Sequence, residues 1–548
     1  MGLVSYGGNA VFKARLFVAT ALSAGLFTAA FPAAADTPEA QVSAVIDEGL
    51  NRSEAMKTAS QLMDGIGPRL TNSEGYRRAA DWAIARMTAT GLQNVRREAF
   101  DFGLGWNLDS FSARMITPRR IEMTAMPVAW SPPTGGTLRA PVIVAPISKL
   151  AHFAEWKGKL AGKIVLISMP GISGEPSRPV FRRFEGKDFT EFDKYDLPSF
   201  DPEAADRRAA RSNFPLDLSR FLKAEGALAM VKISYRDGKL VHGTGYNFRT
   251  GEVLALPAFE LAAEDYRRLV RLAASGSAPE IELALAARFD DKQQQAENLI
   301  GEILGSDPKA GYVMAGAHFD SWIAGDGAAD NGAGSVVVME AARILSRLAV
   351  KPKRTIRFAL WAGEEQGLYG SRAYIERHLA TRPVDPKLSG LSAYSAWSQA
   401  WPIAPKPGFT EIKAYFNLDN GAGKIRGIYA ENNISAEGML KKWLAPFSGM
   451  GADQVVTGKT GGTDHVYFQA IGLPGYQFIQ DPLDYDSRVH HSNIDTVDHL
   501  RGDDLRQAAT IMAAMLLQAA DSDKDLPRPP LPSKPGKTDP FKVADPDD

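Results

Sequence analysis

The sequence predicts an α/β fold: a mixed, mostly parallel central sheet flanked by helices, with an inserted β-rich domain. Three observations predict it. After about Arg288, apolar runs of strand length alternate with helical stretches, as in α/β proteins. Between about Ile121 and Ala286 the texture changes to short β-like runs, "APVIVAP" and "GKIVLISMPG", separated by Gly/Pro turns. At 548 residues the chain is long enough to bury more than one core.

In chain order, Lys13 and Arg15 precede "LFVATALSAGLFTAAF" and then "PAAADTPEA". A positive start, a short apolar run and an Ala-x-Ala site predict a signal peptide over 1–35, cleaved after Ala35. The mature protein is then expected to be exported, periplasmic or secreted, with no stable membrane insertion. An uncleaved anchor is the alternative. From Thr71, "TNSEGYRRAADWAIARMTATGL" reads as a helix. Thr71 and Glu74 have capping-box spacing, Tyr76, Ala80, Ile84 and Met87 share a face, and Gly91 stops it. A polar stretch from Ser173 to Asp217 interrupts the middle region.

Beyond it, "AGYVMAGAHFD", "RTIRFALWAGEE" and "EIKAYFNLD" read as buried strands. "AGSVVVMEAARILSRLAV" and "DDLRQAATIMAAMLLQAA" read as helices. One discontinuous domain is thus expected over 36–120 and 287–525, with the insertion over 121–286. A Pro-, Lys- and Asp-rich disordered tail is expected over 526–548.

A formal net charge of −1 gives no basis for nucleic-acid binding or polybasic membrane binding. With no cysteine, disulfides, thiol catalysis and thiolate metal ligands are excluded. Any metal must be held by His, Asp and Glu.

In parallel α/β sheets, ligands bind beyond the carboxyl ends of the strands. Candidate ligands sit there. "GAHFDS" carries His318 and Asp320, "GAADNGAG" Asp330, "GEEQ" Glu364 and Glu365, and "NLDNG" Asp419. "RVHHSNIDT" adds His490 and His491 near the C-terminus. Any one of these alone reads as a solvated or capping group; their repeated arrival at strand ends does not.

The ordered set "AHFDS", "DNGAG", "WAGEEQGLYGS", "NLD", "GGTDH" and "HHSNIDT" resembles the co-catalytic di-zinc exopeptidases. That family includes secreted bacterial aminopeptidases and the glutamate- and plasma-carboxypeptidase branches. The middle region resembles a protease-associated domain. The resemblance implies that Asp330 bridges two metals, one also held by His318 and Asp419, the other by Glu365 and His491. Glu364 would stay off the metals as general base toward the attacking water, unless it merely caps a helix. A carboxylate that donates to a metal is a poor proton acceptor, so two adjacent glutamates divide the work.

Two Zn2+ ions are implied, and the nitrogen and oxygen donors also suit manganese or cobalt. Asp320 would support the His318 imidazole from behind, and Asp464 and His465 would lie near the site. The resemblance further implies a cis peptide between Asp330 and Asn331. Where many relatives carry an oxyanion-stabilising Tyr before the last metal His, this chain has His490. A neutral imidazole N–H can still donate there; packing away to support His491 is the alternative. His152, His242, His378 and His499 match no motif, and ordinary surface or core roles are expected of them.

The implied function is an exported metallo-exopeptidase acting on peptides. Aminopeptidase is the first reading and carboxypeptidase or dipeptidase the alternative. A non-enzymatic binding protein is the alternative of another class. Three segments invite two readings each. Pro383 to Phe409, with Trp397 and Trp401, is a pocket wall or a structural insertion. "VFRRFEGKDFTEFDKYD" from Val180 is a lid or interface, or a solvated loop. The insertion itself is expected to pack beside the catalytic mouth without supplying a metal ligand.

Overall fold

The computed structural model describes residues 37–174, 179–196, 201, 203–245 and 253–534. The expected signal peptide and the tail from 535 onward lie outside the described residues. Among the described residues no helix is long and apolar enough to cross a membrane.

An eight-stranded sheet runs in the order Gln93–Asp101, Gln295–Ile303, Thr355–Trp361, Tyr312–His318, Ile412–Asn417, Gly475–Gln480, Ile425–Tyr429, Gln454–Val456. The four central strands, from Thr355–Trp361 to Gly475–Gln480, are parallel, and antiparallel pairs flank them. The central strands are buried almost throughout, so they read as continuous apolar runs rather than alternating ones. Tyr312–His318 lies between the two strands that follow it in sequence. Strand order therefore reverses about it, and the crevice at its carboxyl end is where such sheets bind ligands.

Helices Ala333–Arg347 and Gly502–Asp521 pack against each other and this sheet. Pro38–Asn51 lies on the second of them, which explains why Gly502–Asp521 is apolar nearly all round. Helix Glu74–Ala89 forms as expected, but its cap differs. Ser73 accepts from the Tyr76 N–H at 3.1 Å. Thr71 is drawn away: its hydroxyl donates to Asp320 Oδ2 at 2.9 Å and accepts from the Gly363 N–H at 3.1 Å.

A second eight-stranded sheet carries the insertion, and it moves the expected boundaries of 121 and 286. Its longest pair is Gly105–Thr117 against Glu280–Asp290, so both flanking strands belong to it. Nor is this region only β-rich. The 21-residue helix Ala204–Ala224 begins inside the polar stretch and runs past its end, and Ala263–Ala274 is also helical. The longer helix has few buried positions and a Pro inside it, so no clean apolar period marked it.

The start of the expected disordered tail is packed: Leu526 is buried, and Arg528 donates to the Phe409 carbonyl at 2.7 Å. The segment 383–409 is a structural brace. Trp397 and Trp401 flank the Arg382 guanidinium at 4.8 and 4.5 Å. Helix Gly390–Ala396 packs on helix Ala204–Ala224 of the insertion.

Candidate metal centre and active site

Five candidate ligands come together at the carboxyl edge of the sheet. His318 ends the switch-point strand, Glu365 follows the next strand, and Asp419 follows Ile412–Asn417. Asp330 starts the turn into helix Ala333–Arg347, and the peptide from Asp330 to Asn331 is cis. His491 comes from the loop after Tyr485–Val489.

His318 Nε2 lies 3.3 Å from Asp330 Oδ1, 3.5 Å from Asp419 Oδ1 and 3.8 Å from Glu364 Oε2. His491 Nε2 lies 3.1 Å from Asp330 Oδ2 and 2.9 Å from Glu365 Oε2. Asp330 thus faces both imidazoles, one with each oxygen.

These residues fit metal ions. Asp330 Oδ2 and Glu365 Oε1 are buried without a hydrogen-bond partner, although the His491 nitrogen stands 3.1 Å from Asp330 Oδ2. Buried carboxylates are ordinarily paired, hydrogen-bonded or metal-bound. Donors on one tetrahedral ion at zinc-like distances stand about 3.3 Å apart, the spacing seen around His318. Its other nitrogen, Nδ1, lies 3.0 Å from the Asp320 main-chain oxygen, which accepts an N–H and leaves the Nε2 lone pair facing the carboxylates.

Burial drives the Glu364 carboxyl well above the usual carboxylate range, with neighbouring acids adding and His318 opposing. Glu365 is pushed up to about 7, again mainly by burial. Both histidines are raised as well. Burial disfavours their charge, but Asp419 and Glu364 around His318, and Glu365 and Asp330 around His491, outweigh it and raise both well above the ordinary value. Before any cation arrives, protons are the only counter-charge these clusters can take up.

Two expectations, for Asp320 and His465, need adjusting; Asp464 and His490 lie where they were expected. The Asp320 carboxylate does not hold the His318 ring; its Oδ1 is 3.7 Å from Nδ1. Instead it accepts from the backbone N–H groups of Glu364 and Glu365, each at 3.3 Å, and so orients the turn that carries both glutamates. The carboxylate is taken up by these turn N–H groups rather than by the nearby imidazole. His465 lies outside the two clusters, 3.1 Å from Glu431 Oε1. Asp464 is buried beside the site, and burial pushes it to about 7. His490 faces the centre: its Nε2 is 3.6 Å from Asp330 Oδ2 and its ring lies 3.7 Å from that of His491. Burial lowers it to about 4, so the ring is neutral.

Other supports carried no sequence signal. Arg69 is fully buried and donates to the carbonyls of Phe319, Asp326 and Gly327 at 2.7–2.8 Å, caging the loop before Asp330. Asp495 accepts from the N–H groups of Ala329 and Asp330 at 2.6 and 3.1 Å. Its place four residues after His491, inside the quoted "HHSNIDT", was the available hint. Asn331 bonds the Leu418 carbonyl at 2.9 Å, tying the Asp330 turn to the Asp419 strand end. The unmatched histidines have ordinary partners: His378 meets Glu98, His499 meets Asp484 and His242 meets Glu260, each at 2.8 Å. His152 lies 3.3 Å from the Ser148 N–H.

Residues 298–516 match the model of Peptidase family M28. Carboxypeptidase Q of Mus musculus is 26% identical over 470 residues, covering 85% of this chain and 86% of its own. Leucine aminopeptidase 2 of Trichophyton equinum is 26% identical over 309 residues, 56% of this chain and 50% of its own. A peptidase M28 precursor from Shewanella amazonensis shares the fold, with a TM-score of 0.64 at 24% identity, over 91% of this chain and 99% of that one.

Proposed function

We infer that this chain, whose residues 298–516 match the model of Peptidase family M28, is a metallo-exopeptidase that releases one terminal residue from short peptides, as a carboxypeptidase or dipeptidase. The observation that carries the chemistry is Asp330, set between two His–carboxylate clusters with the free carboxyl of Glu364 beside them. The end preference rests on the carboxypeptidase Q relatives, whose likeness runs through the insertion as well as the M28 region. An aminopeptidase is the second reading, favoured by the shorter likeness to leucine aminopeptidase 2.

His318, Asp330 and Asp419 would hold one divalent ion, and Asp330, Glu365 and His491 the other. Zinc suits the donor set best. Such ions, when bound, polarise a scissile carbonyl and lower the pKa of water. Glu364, kept protonatable by burial, takes the proton from the attacking water and delivers it to the leaving amine. The Asp320 carboxylate holds the Glu364–Glu365 backbone so that the two side chains diverge. His490, neutral and beside Asp330, donates an N–H toward the carbonyl oxygen as it gains charge.

Two blocked dipeptides test the reading. Cleavage of an N-acetylated dipeptide but not a dipeptide amide marks a carboxypeptidase, and the reverse marks an aminopeptidase. Cleavage only of the unblocked dipeptide marks a dipeptidase, and metal-independent results on all three sink the peptidase mechanism. Export belongs to the same proposal, on the signal-like N-terminus; a mature chain starting at Asp36 in the periplasmic or secreted fraction is the expected result.

A further inference from the structure

A cleft of about 500 Å³ opens directly beside the metal centre, with Asp419 and Asn420 at one end. One wall belongs to the catalytic sheet and includes Tyr429. The other is the strap around helix Gly186–Phe192, which comes from the insertion and presents Phe184 and Phe192. We propose that this cleft receives the side chain of a substrate residue next to the scissile bond, and that Phe184 and Phe192 select a large apolar one. The proposal rests on the exopeptidase reading above.

Position comes first. Asp419 lines the cleft and also stands 3.5 Å from His318 Nε2. A peptide whose carbonyl sits at the metals must therefore send one flanking side chain past Asp419. The size lies within the range of ordinary small-ligand pockets, roughly 300–1,000 Å³.

The strap is a fixed wall, not a flap. Arg183 donates to Asp481 and Asp504 at 2.9 and 2.8 Å, and the Phe184 N–H meets Asp481 at 2.8 Å. The Gly458 N–H donates to the Phe192 carbonyl at 3.1 Å, and the Thr457 N–H to Asp193 at 2.8 Å. A Cβ at Gly458 would collide with that carbonyl, so the strap seats closely only against glycine. Behind it, Phe189 is buried against Val456 and Ile479. Phe192 is left edge-on to Phe184 at 5.0 Å and 5.7 Å from the Tyr429 ring.

The chemistry of the occupant follows from the lining. Arg182 and Lys187 face Glu191 and Asp486 in the lining, so beyond the metal-centre Asp419 the cleft offers no dominant sign. The aromatic edges offer apolar area, which rewards Phe, Leu or Tyr over Ala or Gly. A single methylene in such a pocket changes discrimination about 10- to 200-fold.

The test uses the metal-loaded enzyme and dipeptides varied at each position in turn, with kcat/KM compared between Phe- and Ala-containing partners. Phe192→Ala is expected to lower the preference for Phe at one position at least tenfold. Phe192→Trp, which fills the cleft, should move the preference toward Ala. Gly458→Ala, which lifts the strap without touching the lining, should act like Phe192→Ala. Ratios within about twofold of wild type in all three variants, at both positions, overturn the pocket assignment and leave the exopeptidase reading standing. Failure of the wild-type enzyme to cleave any of the dipeptides overturns both.

Discussion

Asp330 and Asp481 lie near the same edge of the sheet, both buried, and differ in what surrounds them. Asp481 meets two guanidiniums, Arg183 at 2.9 Å and Arg426 at 3.1 Å, and the Phe184 N–H as well. Asp330 has imidazoles and the Glu365 carboxylate near its oxygens, no guanidinium ion-paired to it among the described residues, and its Oδ2 accepts no hydrogen bond. At the strap, buried charge is paid off within the protein. At the metal centre the carboxylates converge with histidines and no arginine among the described residues pairs with them, so a bound cation would supply the counter-charge. A buried carboxylate with its own arginine marks an interface; one aimed with other carboxylates at a histidine marks a site.

The largest expected effect follows from removing that outside charge. Chelation should bring hydrolysis to background and lower the thermal midpoint, since an ion held at 100 times its Kd stabilises by about 2.7 kcal/mol. Restoring zinc should recover both. A melting curve indifferent to chelator would break the contrast between the two regions.

Next is Glu364→Gln, which keeps shape and removes the base. Turnover should fall about 10²- to 10⁴-fold with both metals retained, checked by rates and elemental analysis. Loss of metal instead would mean that Glu364 and Glu365 have exchanged roles.

His490→Phe sharpens the same side. One lost oxyanion donor typically costs about 10²- to 10³-fold in turnover. If the variant stays within a few-fold of wild type with both metals bound, His490 only backs His491.

The smallest effect belongs to the strap. Arg183→Met leaves Asp504 without its guanidinium, whereas Asp481 keeps Arg426. Because the Arg183 side chain is 38% exposed, the loss should be at the low end for a deprived buried acceptor, about 1 kcal/mol. A urea midpoint reads it. Metal content should not change; a drop there would show that the two regions are coupled.

The strand ends that carry His318, Glu364, Glu365 and Asp419 were legible because the strands are short, buried and apolar, and each motif is contiguous in sequence. So was the alternation that makes the α/β sheet. The insertion was legible as a change of texture but not in its bounds. Gly105–Thr117 reads like any strand until Glu280–Asp290 pairs with it. Helix Ala204–Ala224 lacks a clean apolar stripe, having a Pro inside it and few buried positions.

By itself, then, the sequence determined which residue types could gather at the carboxyl edge, and that nothing but histidines and carboxylates was available to hold a metal there. Only the tertiary structure decided the supports. Arg69 reaches carbonyls some 250 positions away, Thr71 leaves its cap for Asp320, and the Asp320 carboxylate goes to the Glu364–Glu365 turn while its main-chain oxygen takes the His318 ring. Each choice is a competition between hydrogen-bond partners that are close in space and remote in the chain. Local pattern records what a side chain can donate or accept, and packing alone determines which of the available partners arrives.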